Sequence, residues 1–211
     1  MNVARLGGVS KRRPSIKVLV VIGCLSLLVS CGEAKPPKAA PEPTPLAELK
    51  VDQAIVPTID FCKFVHPKTV SAALGLAGEE LPTEVESTAY GNGDEVSVDG
   101  TAPQRLQELG CTWKLGSATA SAWIFARPVD EAFAQTVIST AKQRKACTTN
   151  TGGFGPTSYS QTCPNADGST RIRHASLIGH TWFTCEISSA TETAARADLW
   201  CSSLVNELKT N

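Results

Sequence analysis

Eight cysteines punctuate this 211-residue chain, and the first two lie in sequence unlike the rest. Cys24 and Cys31 fall within and just after an apolar leader, while Cys62, Cys111, Cys147, Cys163, Cys185 and Cys201 are spread through mixed polar and apolar sequence. Whether six such cysteines are thiols or bridges depends on the redox compartment, so the leader bears on the fold. Met1 to Lys17 carries Arg5, Lys11, Arg12, Arg13 and Lys17, and no acid precedes Glu33. Val18 to Ser30 is an uncharged run of thirteen residues. As a helix it would span about 20 Å, against a hydrocarbon core of about 30 Å. It reads as the apolar region of a signal peptide and places the rest of the chain outside the cytosol.

The run ends in Leu28-Val29-Ser30-Cys31-Gly32. This resembles the lipobox of bacterial lipoproteins: an aliphatic residue at −3, small residues before the cut, then a cysteine. The resemblance implies cleavage after Ser30 and a thioether-linked diacylglycerol on Cys31. More than one acyl chain gives stable anchoring, where one alone is marginal. The alternative is a plain secretory signal with an incidental cysteine. Arg12-Arg13 also resembles part of a twin-arginine signal, but Ser15 stands where a hydrophobic residue belongs. Pro36, Pro37, Pro41, Pro43 and Pro45 then mark a semi-rigid spacer without large apolar residues. The expected organisation is a signal peptide over 1–30, a lipidated cysteine and proline-rich linker over 31–46, and one extracytoplasmic α+β domain over 47–211.

Removing the five leader cations from 20 basic residues leaves 15 against 20 acids, a mature net charge near −5. An acidic domain lacks the footprint for phosphate neutralisation, so nucleic acid is not an expected partner. The six remaining cysteines read as structural disulfides. No C-x-x-C or H-x-x-x-H spacing favours a metal, and thiols outside the cytosol oxidise. Fifteen pairings are possible, and spacing alone does not choose among them. The coarse secondary structure favours Cys147 with Cys163 across a turn-rich stretch. It favours Cys185, ending a strand, with Cys201 in the helix that follows, and leaves Cys62 and Cys111.

Pro67 to Ala77 reads as a short helix with Pro67 at its first position and His66 or the preceding turn as cap; Val70, Ala73, Leu74 and Ala77 share a face. Gly91-Asn92-Gly93-Asp94 is a turn between two weak strands within 83–100. Residues 110–115 and 119–126 read as a strand pair joined at Gly116-Ser117. Asp130 to Lys145 reads as a helix with Ala134, Val137, Ile138 and Ala141 on one stripe. Thr148 to Pro156 reads as a polar, glycine-rich loop. Strands follow over 158–162, 170–178 and 181–187, the last two turning at Gly179-His180. A closing helix spans 189–209, capped by Ser189 or Thr191, with Ala194, Ala197, Leu199, Trp200, Leu204 and Leu208 supplying its buried side. The expected fold is α+β: an antiparallel sheet with helices packed mainly on one face, stapled by disulfides.

Ile59-Asp60-Phe61-Cys62, the helix with Ala72-Ala73-Leu74-Gly75, and Gly110-Cys111-Thr112-Trp113 resemble a family of actinobacterial lipoproteins of unknown function. In that family an Asp-x-Cys opening precedes a helix ending in Leu-Gly, and a Gly-Cys-x-Trp strand follows. The resemblance covers about residues 59–126. It implies a small extracytoplasmic domain with the first two domain cysteines paired, and it carries no catalytic residues across.

No residues are assigned to catalysis or to a metal, and no cofactor is expected. His66, His174 and His180 lack a Cys-His or Ser-His context, and no nucleophile elbow, P-loop or dinucleotide fingerprint occurs. Gly152-Gly153-Phe154-Gly155-Pro156 lacks the lysine of a phosphate loop and reads as a turn. Glu79-Glu80 and Asp94-Glu95 read as solvated surface. Arg171 and Arg173 alternate onto one face of their strand; with His174 they could form a small anion patch on a strand edge, against the plainer reading of a solvated sheet face. Trp113, Trp123, Trp182 and Trp200 read as core, with Trp113 and Trp200 packed on bridges. The expected partners are a membrane, through the lipid, and an unknown protein, glycan or lipid bound by an envelope module. A hydrolase of envelope polymers and a structural surface protein are the alternatives. A shallow apolar groove between sheet and helix would favour binding, and a deep pocket of carboxylates with raised pKa values would favour the hydrolase.

Overall fold

The computed structural model describes residues 44–54, 56, 59–76, 80–91, 95–96, 104–105, 108–191 and 194–209. The expected leader, Cys31, the linker up to residue 43, and Glu79, Asn92, Gly93 and Asp94 lie outside these residues. Among the described residues, strands β1 (Glu86–Tyr90), β4 (Glu108–Leu115), β5 (Ala118–Phe125), β6 (Thr148–Thr151), β7 (Ser158–Pro164), β8 (Thr170–Ile178) and β9 (Thr181–Ser189) build one antiparallel sheet in the order β1-β4-β5-β9-β8-β7-β6. The two-residue strands β2 (Glu95–Val96) and β3 (Gln104–Arg105) pair separately.

The period-2 alternation of the central strands gives the sheet two buried faces. In β9, Phe183, Cys185 and Ile187 join one core with Cys111, Trp113, Ala122 and Ile124. Helices α1 (Phe61–Phe64), α2 (Pro67–Ala73) and α4 (Ala194–Lys209) supply the rest of that core. Trp182, one residue along β9, faces the other way and packs with Tyr159, Ala175 and the buried stripe of α3 (Glu131–Lys142). The fold is thus α+β, with three of the four described α-helices on one face and α3 alone on the other.

Helix α4 holds the larger core together. Ala197, Trp200, Cys201, Leu204, Val205 and Leu208 are buried, and their three- and four-residue spacing is one helical stripe. Each large aliphatic side chain buried this way stabilises the fold by about 1.5–3 kcal/mol. Trp200 meets Trp113 edge to face with centroids 5.6 Å apart. Ala194, in the first turn, is exposed rather than buried, although its spacing places it in line with that stripe. The expected start at Ser189 is also too early: Ser189 ends β9, and its hydroxyl accepts the Thr191 N–H instead.

The remaining boundaries follow from caps. The His66 ring accepts the Lys68 N–H at 3.2 Å, and Pro67 opens α2 as expected. That helix stops at Ala73, short of the expected Ala77. Gly75 takes a φ of 76°, and the N–H groups of Gly75 and Leu76 fold back to Ala72 and Ser71, a glycine C-terminal cap. Asp130 caps α3 by accepting the Phe133 N–H at 2.8 Å. Helix α3 ends at Lys142, leaving Arg144 and Lys145 beyond it.

Other expectations are corrected as well. Thr148 to Thr151 is not loop but edge strand β6, paired with β7 through Thr148 opposite Thr162. The weak strands around residue 91 do not pair with each other: β1 lies on β4 and β2 on β3. The glycine segment does form a turn, with positive φ at Gly152, Gly153 and Gly155. Phe154 anchors it in the core 6.1 Å from Phe183. Leu46, Leu49 and Val51 are also buried in the α4-side core, so Leu46, expected to close the linker, belongs to the domain.

Three disulfides join Cys62 to Cys111, Cys147 to Cys163, and Cys185 to Cys201. The first and third tie α1 to β4 and α4 to β9. The second ties the segment after α3 to β7. Each stabilises the fold by about 2–4 kcal/mol, mainly by restricting the unfolded chain.

Candidate functional site

Helix α3 covers only part of its sheet face, and this leaves a cleft. The register sets its floor: Trp123 on β5 lies opposite Thr184 on β9, Thr184 opposite Ala175 on β8, and Ala175 opposite Tyr159 on β7. Trp123, Thr184 and Tyr159 therefore point the same way, with small Ala175 making room between them. Phe133, Val137 and Thr140 on α3 form one wall, and Glu108 at the start of β4 belongs to the opposite side. The cleft encloses about 300 Å³, with Phe125, Trp182 and Arg173 completing its lining and Arg144 exposed at its mouth.

The wall is held at both ends. The Thr157 hydroxyl donates to both Glu131 carboxylate oxygens at 2.8 Å, fixing the first turn of α3 to the start of β7. Hydrogen bonds from Gln135 and Thr157 hold the Glu131 carboxyl below its usual pKa. At the other end Gln161 Nε2 donates to the Ala141 carbonyl at 2.9 Å. Tyr159 stacks on Trp182 at 6.1 Å, and Phe125 meets Phe133 edge to face at 5.9 Å. A cleft fixed this way is preorganised, which lowers the ordering cost of binding.

Charge is distributed unevenly. Arg173 donates from Nε and Nη2 to one oxygen of Glu186 at 2.7 and 2.6 Å, and its guanidinium lies 5.0 Å over the Trp123 ring. Burial opposes its charge, yet Glu186 and Tyr159 hold its pKa above the usual arginine value. Arg171 reaches the same Glu186 oxygen at 3.8 Å. The Glu108 carboxylate makes no hydrogen bond or ion pair with another described residue. Burial raises its carboxyl pKa, and the Arg173 charge only partly offsets that.

Of the residues singled out on sequence, Arg171 and Arg173 share a face as expected, and Arg173 lines the cleft. The face is not simply solvated: the Arg173 side chain is only 18% exposed. Nor do the arginines lie on an edge, since β8 runs between β9 and β7. Glu186 already pairs with both, most closely with Arg173, and its single charge offsets one of the two. His174 points to the opposite face, where Nε2 lies 3.0 Å from Asp198 Oδ1. That approach misses the ring N–H direction, since Nε2 makes no aligned hydrogen bond. Trp113 and Trp200 are core, while Trp123 and Trp182 combine burial with a place in the cleft lining. Glu108, Phe125 and Phe133 escaped the sequence reading. Phe125 ends an apolar strand, and nothing in the local pattern marks Glu108 as facing it.

Among the described residues, no group of three or more His, Cys, Asp or Glu side chains is placed to hold a metal ion. No helix among them is long and apolar enough to cross a membrane. In comparisons with protein-family models, curated proteins and solved structures, the chain matched none.

Proposed function

We propose that this chain is a lipid-anchored, extracytoplasmic lipoprotein whose domain binds a small ligand in the cleft beside α3. The single observation that carries the binding reading is the cleft: five aromatic side chains around about 300 Å³, with the half-buried Glu108 carboxylate, which has no hydrogen-bond or ion-pair partner among the described residues. That volume sits at the lower end of ligand sites, which run from about 300 to 1,000 Å³ and combine apolar walls with few polar groups. The address rests on the leader, the Cys31 motif and the proline-rich spacer, with three disulfides consistent with an oxidising compartment. The resemblance to actinobacterial lipoproteins points the same way.

Hydrolysis of a glycan backbone normally requires two cooperating carboxyl groups. Glu108 supplies one with a raised pKa, but Glu186 is held by two arginines and no other carboxylate lines the cleft among the described residues. The geometry therefore supports binding over hydrolysis. The test is a Trp123→Ala variant of the membrane-extracted protein, compared with wild type by nuclear magnetic resonance against a small-molecule panel. Saturable shifts of the Trp123 and Trp182 indole signals in wild type, with the Trp182 shift weakened in the variant, support the reading. Absence of any shift in wild type across cationic, neutral and sugar probes refutes it.

A further inference from the structure

We propose that the cleft takes a small organic cation, an ammonium group on a compact apolar body, with Glu108 as counter-ion and Trp123 and Phe125 as aromatic wall. The inference rests on reading the cleft as a ligand site. Aromatic faces carry negative potential and attract cations, and a nearby carboxylate adds to that attraction. The protein's own cations already sit on rings that line this cleft. Arg173 lies 5.0 Å from the Trp123 centroid, and Arg127 lies 4.7 Å from that of Phe133. Both rings belong to the cleft lining, so its aromatic field is one that guanidinium groups already occupy from outside or from the floor.

The charges that face Glu108 leave it available. On β8, Arg173 acts on Glu108 through space but gives its hydrogen bond and close ion pair to Glu186 from β9. On β7, Tyr159 stands beside Arg173 and stacks on Trp182. Beyond the C-terminal end of α3, Arg144 is solvent-exposed at the mouth. Glu108 alone contributes a carboxylate without a partner among the described residues, at a place where burial disfavours its charge. An incoming ammonium would supply that partner. A neutral sugar would stack on the same rings but leave the carboxylate uncompensated. An acyl chain would bury it against hydrocarbon, at greater cost.

The probes are choline and phenethylammonium, each beside its neutral isostere, with glucose as a sugar control, titrated into the full-length chain in a non-ionic detergent. Indole shifts and calorimetry give the affinities. A cationic probe is expected to bind at least about tenfold more tightly than its neutral isostere, an increment of the size cation–π and ion pairing provide. Glu108→Gln should remove that preference while near-ultraviolet circular dichroism stays native. Binding should also weaken as acid protonates Glu108. Equal affinity for the isosteres, or an unaffected Glu108→Gln variant, overturns the cation assignment yet leaves the cleft a ligand site. Binding of glucose alone does the same. If no probe moves the indole signals, both readings fall.

Discussion

The indole N–H of Trp200 donates to the main-chain carbonyl of Ser121 across 3.0 Å, joining α4 to β5 within the core. The same ring meets Trp113 edge to face. One side chain thus supplies packing, an aromatic contact and the partner of a buried carbonyl. Trp200→Phe keeps most of the packing but removes that hydrogen bond, and should cost about 0.5–1.5 kcal/mol. Trp200→Ala should cost about 3–5 kcal/mol. Denaturant unfolding of both variants checks the order; equal losses would show that the hydrogen bond contributes little.

The bridges should differ in worth with the loops they close. Cys62 and Cys111 are 49 residues apart, the other two pairs 16. Chain entropy predicts a loss of about 4 kcal/mol on removing the first bridge and about 3 kcal/mol for either of the others. Double-alanine variants measured by chemical unfolding test this, and a larger loss from the Cys147–Cys163 pair would contradict it.

Gly155 has a φ of 88°, and a Cβ there would meet Val51 Cγ2 at 2.7 Å and Ser176 Oγ at 3.1 Å. Gly155→Ala therefore combines backbone strain with a clash and should cost at least about 1–3 kcal/mol. Gly152→Ala is strained in backbone alone, since nothing lies within 4 Å, and should cost less. Thermal unfolding distinguishes the two.

Two carboxyl groups, Glu108 in the cleft lining and Glu131 in the first turn of α3, should titrate with opposite consequences. Glu131 has a depressed folded pKa, so its stabilising contribution is present above its unfolded pKa and is lost as pH falls through the folded one. Protection of the first-turn amides of α3 against hydrogen exchange, taken relative to their intrinsic rates, should fall on acidification. Glu108 has a raised folded pKa, so its contribution is present in acid and lost as pH rises. Glu108→Gln should then stabilise the protein at neutral pH and make little difference in acid. Stability curves at both pH values check the sign, and a destabilised variant at neutral pH would refute it.

Cys31→Ala should abolish lipid labelling and release the protein from membranes, with the disulfides unaffected. Intact mass with and without reduction measures both. Unchanged membrane fractionation of the variant would overturn the anchor.

Much of this architecture was legible because short patterns decide it. Trp200, Leu204 and Leu208 mark the face of α4, and the turns at Gly116 and Gly179 both appear as expected, each with positive φ. Edge strand β6 was not legible. Its Thr-Thr-Asn-Thr sequence has no apolar alternation, since only β7 pairs with it and most of it is exposed. The cleft was less legible still. Trp123 sits in a strand buried almost continuously from Ala120 to Ile124, so no alternation shows that one of its faces opens. Glu108, Phe133 and Tyr159 meet Trp123 only through sheet order and the placing of α3, which are long-range outcomes of packing.

Leu46, Leu49 and Val51 join the α4-side core, with Val51 seated against Gly155. If Cys31 is fixed in a membrane, a pull on the tether does not stop at a loose end. It reaches apolar side chains that would have to slide out together from beneath α4 and the glycine turn, a shearing load shared by several contacts. The first part of the domain to yield under tension should then be this N-terminal plug, while the cross-linked sheet and its cleft stay intact behind it.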